Sequence, residues 1–221
     1  MNLATPEMTL KLDEWPKVEG HDVEFTLVYD GPLYGASGDN PRAAHKHEIR
    51  KKFHPQLRNL WQARLQHWLT ACTPSPEFKK IYAGPPFATS LAAHFAIGGF
   101  GFVPLVLENM RLACRLDILF LRRDSSRAII KSGDIDNRLK TLFDALRVPR
   151  NAGELGSTPP GTDESPFFFV LLEDDSLITE VHVSTDTLLT PTEPNEPQAS
   201  KLVIGVKLRP FQHTEWNISF L

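Results

Sequence analysis

The chain has 221 residues, of which 41% are hydrophobic and 23% are charged, and its formal net charge at neutral pH is −3. This length and apolar content predict one domain with a substantial core. The sequence contains no apolar run of about eighteen residues and no basic, apolar leader, so it excludes a membrane-spanning protein and predicts a cytoplasmic one. Two cysteines, Cys72 and Cys114, are too few for a disulfide framework or a thiolate metal site.

The amino-terminal part of the chain divides into an arm, a strand and a loop. Residues 1 to 20 are polar and contain proline, which predicts a flexible arm before a single domain from residue 21 to residue 221. Residues 23 to 29 alternate between apolar and polar side chains and predict the first strand. The glycine-containing loop from residue 30 to residue 41 lacks the Gly-Lys-Ser/Thr ending of a phosphate-binding loop.

Helix-forming residues dominate from residue 43 to residue 71. We expect Pro55 to lie in the first turn of a second helical segment within this stretch, because proline is tolerated there. One apolar face is predicted, formed by Leu57, Leu60, Trp61, Leu65, Trp68 and Leu69. The tryptophans are expected to lie in the core rather than stack on bases, because each buries a large area.

Basic residues are concentrated in two segments, around residues 42 to 54 and residues 122 to 131. The candidates for contacts with a nucleic-acid backbone are Arg42, Lys46, Arg50, Lys51, Lys52, Arg122, Arg123 and Lys131. A solvated helix face accounts for the first cluster equally well. An acidic net charge is unusual for a nucleic-acid-binding protein, but local patches of charge matter more than the sum.

The second half of the chain predicts an α+β fold with a mixed or mainly antiparallel sheet flanked by at least two helices. Residues 91 to 107 fit either a short helix followed by a strand or one bent strand. Residues 110 to 121 predict a long strand with Leu112, Cys114, Leu116, Ile118 and Phe120 on one face, and residues 202 to 208 predict the last strand. Residues 167 to 172 and 177 to 185 predict two paired strands, joined by the sequence Glu173-Asp174-Asp175-Ser176, which we call the acidic turn.

Between these strands, the stretch from residue 131 to residue 146 predicts a strand-to-helix turn, which carries Asp134 and Asp136, followed by a short amphipathic helix with two distinct faces. Its apolar stripe is formed by Leu139, Leu142, Phe143 and Leu146, at the spacing of one helix face. Its charged stripe is formed by Asp136, Lys140 and Asp144. The apolar stripe should anchor the helix, which leaves the charged stripe free for chemistry.

The acids at the start of this helix and in the acidic turn predict an open magnesium site. Carboxylates are hard oxygen ligands, and Mg²⁺ is usually held by one or two of them together with waters and substrate phosphates. Asp134, Asp136 and Asp175 would supply the ligands, and Lys140 would contact a scissile phosphate or orient the attacking water. This is equipment for phosphodiester hydrolysis.

Each of these residues also has a simpler interpretation. An Asp at a helix start is often a cap, because its oxygen accepts a hydrogen bond from a free backbone amide and its charge suits the helix dipole. The Asp174-Asp175-Ser176 sequence is typical of a turn between strands. Lys140 fits a solvated helix face as a partner of Asp136 or Asp144.

The combined pattern resembles the RusA-type Holliday junction resolvase family. The matching residues are Gly133-Asp134-Ile135-Asp136-Asn137, then Lys140, Asp144-Ala145-Leu146, and later Asp174-Asp175-Ser176 with Ile178. The resemblance covers about sixty residues, roughly 117 to 183. It implies a RusA-like fold and a nuclease site with Asp134, Asp136 and Asp175 as metal ligands and Lys140 as the catalytic lysine. An insertion rich in Pro, Gly and Ser, from Val148 to Pro166, separates the two motifs.

The resemblance implies a homodimeric, Mg²⁺-dependent endonuclease for branched DNA such as Holliday junctions, with Mn²⁺ as a possible substitute. In this interpretation Asn137 fixes the turn, Asp144 holds Lys140 in place and Asp174 supports the metal ligands. The main alternative is a non-catalytic nucleic-acid-binding or assembly subunit on the same fold. A transferase that uses Asp-x-Asp to hold a nucleotide diphosphate is disfavoured, because the chain has no recognisable nucleotide-cradling loop.

Overall fold

The computed structural model describes residues 23–35, 42–71, 84–122, 134–156, 159–189, 199–214 and 217, with the side chain of Asp134 excluded. The helices are α1 (Ala43–Arg64), α2 (Gln66–Thr70), α3 (Phe87–His94) and α4 (Asp134–Leu146). The strands are β1 (Glu24–Pro32), β2 (Ala96–Ile97), β3 (Phe100–Val106), β4 (Leu112–Arg122), β5 (Phe168–Leu172), β6 (Ile178–Thr187) and β7 (Ala199–Pro210). The predicted arm, residues 1 to 20, and Cys72 lie outside the described residues.

A four-stranded mixed sheet has the strand order β1-β7-β4-β6. The central strand β4 pairs antiparallel with β7 and parallel with β6. Its alternation follows the predicted face, since the side chains of Leu112, Cys114, Leu116, Ile118 and Phe120 are all buried. The alternate side chains Arg115, Asp117 and Leu119 point to the opposite, more exposed face of the sheet.

A second sheet has three strands in the order β2-β3-β5, with β3 and β5 parallel. The prediction that residues 167 to 172 pair with residues 177 to 185 is wrong, because β5 and β6 belong to different sheets. Every residue of β5 is buried, which is typical of a strand covered on both faces and paired in parallel. The acidic turn therefore crosses from one sheet to the other.

Helix α1 runs without a break through Pro55, so the prediction of a new helical segment at that proline is wrong. The interruption comes at Leu65 instead, before α2. The core position of the tryptophans is confirmed, since Trp61 and Trp68 are buried. Residues 91 to 107 form the end of α3 followed by β2 and β3, which settles the two alternatives in favour of helix then strand.

The open edge of β1 is covered by side chains of α1. The carboxamide of Gln56 accepts a hydrogen bond from the Val28 N–H at 2.9 Å and donates one to the Val28 carbonyl at 2.7 Å. Arg64 donates to the Glu24 carbonyl at 3.0 Å. Gln56 thereby fills the place of a neighbouring strand beside Val28.

The predicted α+β class, with mixed sheets flanked by helices, is confirmed. Within the described part of the chain, no helix is both long and apolar enough to cross a membrane. The Cys114 thiol is buried and free, and its burial raises its pKa to about 12.

Candidate functional site

Helix α4 has the two faces that the sequence predicts. Leu142, Ala145 and Leu146 are buried, and Leu139 and Phe143 pack partly buried against the same core. Asp136, Asn137 and Lys140 are exposed on the other side, whereas Asp144, the third residue of the predicted charged stripe, is buried. Because α4 begins at Asp134, Asp136 lies inside the first turn and not at the capping position before it, although a carboxylate there still suits the helix dipole.

The acidic turn follows directly from the end of β5 and is fixed by backbone hydrogen bonds. The Glu173 N–H donates to the Val106 carbonyl at 2.9 Å, and the Glu173 carboxylate accepts from the Glu108 N–H at 2.9 Å. Asp174 accepts from the Ser176 N–H at 3.0 Å and thereby caps a short 3-10 helix, Asp175–Leu177. The hydrogen bond from the Ser176 backbone holds the pKa of Asp174 below its usual value.

The acidic turn and α4 lie side by side. Cα atoms of the 3-10 helix Asp175–Leu177 lie within 8 Å of Cα atoms in α4. Just after α4, the Val148 N–H donates to the Leu172 carbonyl at 2.9 Å, which ties the end of the helix to the end of β5. The helix carrying Asp136 and Lys140 is thus fixed against the turn carrying Asp175.

The donor chemistry of these residues fits a hard divalent cation, since exposed Asp136 and partly exposed Asp175 both offer carboxylate oxygens. Among the side chains that the structure describes, no three His, Cys, Asp or Glu residues come together as a metal-binding group. Asp134, the third predicted ligand, is the first residue of α4, and its side chain is not among those that the structure describes.

Arg150, which is not among the predicted site residues, faces the acidic turn. Its guanidinium Nη2 lies 3.7 Å from an Asp175 carboxylate oxygen and 3.9 Å from one of Asp174. Arg150 belongs to the predicted insertion, where its partner could not be read from helical or strand spacing. Its place beside the acidic turn follows from the parallel bridge between Arg147 and Leu172, a tertiary contact for which the sequence gives no local signal.

Asp144 anchors α4 to α1, and the prediction that it holds Lys140 is wrong. Its two carboxylate oxygens accept from the Lys46 ammonium at 2.7 Å and the Arg147 guanidinium at 2.9 Å. Arg147 also lies 3.3 Å from the carboxylate of Glu154. Burial alone would raise the pKa of Asp144, but Lys46 and Arg147 together hold it below its usual value.

Two of the residues predicted to contact nucleic acid bind groups within the protein instead. Arg50 is buried, and it donates to the carbonyl oxygens of Asp144 at 2.6 Å, Arg147 at 3.2 Å and Glu154 at 3.2 Å. The prediction that Arg50 contacts a phosphate backbone is therefore wrong, because its guanidinium is buried and not accessible to a ligand. The ammonium of Lys46 is taken up by Asp144, so it is a structural cation as well.

The other predicted contact residues have different surroundings. Arg42 donates to the Gly35 carbonyl and lies over the Tyr34 ring, and Lys51 lies 3.4 Å from Glu164. Lys52 is exposed and Arg122 is half-buried. Arg123 and Lys131 lie outside the described residues.

A groove of about 450 Å³ lies on the four-stranded sheet, lined by residues of β1, β4 and β7. Its charged side chains pair with one another: Arg115 donates to Asp117 at 2.9 Å, and Lys207 donates to Glu24 at 2.6 Å. None of the predicted site residues lines it. We therefore place the candidate site at α4 and the acidic turn, where the predicted catalytic residues lie.

Comparisons with family models, with curated proteins and with solved structures found no match to this chain. The candidate site therefore stands on its own residues and their geometry.

Proposed function

We propose that this chain is a Mg²⁺-dependent endonuclease that hydrolyses phosphodiester bonds in branched DNA such as Holliday junctions. The proposal includes a RusA-like fold, a cytoplasmic homodimer, and Mn²⁺ as a possible substitute for Mg²⁺. The observation that carries it is the packing of the acidic turn against α4, which fixes Asp175 on an element adjoining the one that bears Asp136 and Lys140.

The residues of this site divide the work between metal binding and phosphate binding. Asp134, Asp136 and Asp175 would hold the cation, which supplies charge stabilisation to the attacking and leaving oxygens when bound. Lys140 is exposed and lies one helical turn beyond Asp136 on the same face of α4, so its ammonium is free to donate to a phosphate oxygen. Asp174 caps the 3-10 helix of the acidic turn and thereby fixes the backbone that carries Asp175.

A cleavage assay on a labelled four-way junction tests the proposal. We expect the wild-type protein to cut the junction in Mg²⁺ and to be inactive in EDTA, and Asp136→Asn to lose at least about a hundredfold in rate. Asp117→Asn is the matched control, because Asp117 is a partly exposed acid on the four-stranded sheet and pairs with Arg115. Equal cleavage rates for Asp136→Asn and the wild type would show that Asp136 is not a metal ligand.

The second candidate is a non-catalytic nucleic-acid-binding subunit. It is favoured by the position of Arg150, which faces the two acids where a cation would bind. Salt-dependent binding of branched DNA without cleavage of any branched or linear substrate in Mg²⁺ or Mn²⁺ would establish this alternative.

A further inference from the structure

Arg150 makes a loose ion pair with the acidic turn. Its Nη2 atom is 3.7 Å from Asp175 and 3.9 Å from Asp174, which is beyond hydrogen-bond distance in both cases. About 65% of the Arg150 side chain is exposed. An ion pair of this kind is held by charge alone, and the side chain is free to turn away.

The backbone that carries Arg150 is held firmly. Three residues earlier, the Arg147 guanidinium is buried and bonded to Asp144 and to the Val148 carbonyl, at 2.9 Å and 2.8 Å. Two residues earlier, the Val148 N–H is bonded to the end of β5 at 2.9 Å. Arg150 therefore carries a largely exposed guanidinium on a fixed backbone beside the acidic turn.

The charges decide what happens when a cation arrives. An exposed ion pair contributes little free energy, whereas a divalent ion binds carboxylate oxygens directly. The cation would displace the guanidinium from Asp175. A guanidinium released beside a metal site is suited to a phosphate, because its fork of N–H groups matches two phosphate oxygens.

We infer that Arg150 has two alternating partners: it neutralises Asp174 and Asp175 while no metal is bound, and it contacts a DNA backbone phosphate beside the site once the metal is bound. This inference rests on the proposed function. It adds a phosphate-binding residue that lies outside the acid and lysine motifs and within the segment from 148 to 166.

The first half of the test measures metal affinity without DNA. Titration calorimetry with Mg²⁺ should show Arg150→Ala binding the ion about two- to fivefold more tightly than the wild type, because a competing cation has been removed. Arg209→Ala is the matched control. Arg209 is also an exposed arginine in a loose pair, 3.6 Å from Glu180, and its removal should leave the affinity for Mg²⁺ unchanged.

The second half measures junction binding with Ca²⁺ in place of Mg²⁺. Arg150→Ala should bind about tenfold more weakly, and the slope of log affinity against log salt should fall by about one. Arg150→Lys should retain the slope but lose part of the affinity, because it keeps the charge and lacks the fork. Arg209→Ala should match the wild type in both measurements.

Tighter metal binding together with weaker DNA binding in Arg150→Ala supports the inference, since a purely structural residue would not move the two in opposite directions. Loss of both affinities, or no change in either, overturns it. If the wild type cuts the junction and Arg150→Ala behaves identically, the inference fails alone. If the wild type binds Mg²⁺ no better than Asp136→Asn and cuts nothing, the proposed function fails and the inference fails with it.

Discussion

The Lys46 ammonium lies 2.7 Å from the Asp144 carboxylate and joins α1 to α4 across 98 residues of sequence. Both side chains are largely shielded from solvent, with exposed fractions of 13% and 12%. The same carboxylate binds Arg147, so a single acid holds two cations beneath the helix of the candidate site. Together with the buried side chains of Leu142 and Leu146, this contact holds α4 in the rotation at which Asp136 and Lys140 are exposed.

Asp144→Asn should destabilise the fold by about 1.5 to 3 kcal/mol, because it removes the charge from hydrogen bonds to Lys46 and Arg147. Urea unfolding at neutral pH measures this change. The control Glu180→Gln removes an exposed partner of Arg115 and should cost less than about 1 kcal/mol. Equal stability of Asp144→Asn and the wild type would show that the network does not hold α4.

The stabilisation from Asp144 should depend on pH in a defined direction. Its pKa in the folded protein lies below the usual value of 3.8, so its contribution is present above the pKa of the unfolded chain and is lost as the pH falls through the folded value. The difference in unfolding free energy between wild type and Asp144→Asn should be full at pH 7 and narrow below about pH 4. A constant difference down to pH 2 would contradict this assignment.

His47 should make the protein less stable in mild acid. It is buried between Phe100 and Phe168, and neither ring nitrogen has a hydrogen-bond partner among the described residues. Burial lowers its pKa from 6.5 to about 4. Between these values the unfolded chain binds a proton that the folded chain does not, so stability falls by roughly 3 kcal/mol as the pH drops from 6.5 to 4.

Substitution of His47 tests this source of acid sensitivity. His47→Leu should reduce the slope of stability against pH in that interval, as measured by urea unfolding at several pH values. Part of the slope should remain, because burial also lowers the pKa of His54. An unaltered slope in His47→Leu would exclude His47 as its origin.

Lys140→Gln should slow junction cleavage by about 10²- to 10³-fold, because a donor to the charge developing at the phosphate is lost. The melting temperature and the affinity for Mg²⁺ should not change, since Lys140 is exposed and not a metal ligand. Lys201→Gln, which removes a partly exposed lysine of β7 that lies 3.9 Å from Asp30, is the control. Cleavage at the wild-type rate would leave Lys140 as an ordinary solvated residue.

Pro55→Ala should stabilise α1 by about 2 kcal/mol. An interior proline lacks an N–H and crowds the preceding turn, while part of its cost is offset because proline also restricts the unfolded chain. Pro55 is exposed, so the substitution opens no cavity. Thermal unfolding should show the gain, and Asn59→Ala on the same helix should give about 0.5 kcal/mol. A less stable Pro55→Ala would show that the restriction of the unfolded chain by proline outweighs its cost within the helix.

Local periodicity was enough to predict β4 and α4. Cys114 and Leu116 alternate with the partly exposed Arg115 and Asp117, and Leu142 and Leu146 recur at helical spacing, so each element shows its buried face in its own sequence. Spacing along one strand does not identify the strand beside it. The pairing of β5 with β3 was therefore missed, because both are apolar throughout.

The prediction of the site residues has the same limitation, because spacing within one element does not identify the elements that pack against it. Asp136 and Lys140 are exposed as the helical pattern predicts. The choice between Lys140 and Lys46 as the partner of Asp144 depends on how α1 crosses α4, which no single segment encodes. Arg50 was misassigned for the same reason, since a basic residue on a helix gives no local sign that buried carbonyl groups will surround it.

The carboxamide of Gln56 has an effect on self-association. By taking both hydrogen-bonding groups of Val28, it leaves β1 unable to recruit another chain there, and Arg64 occupies the carbonyl of Glu24. At the opposite end of this sheet, β6 is the last strand among the described residues. Strand addition by a second copy is therefore disfavoured at these positions of β1, because their hydrogen-bonding groups are already paired.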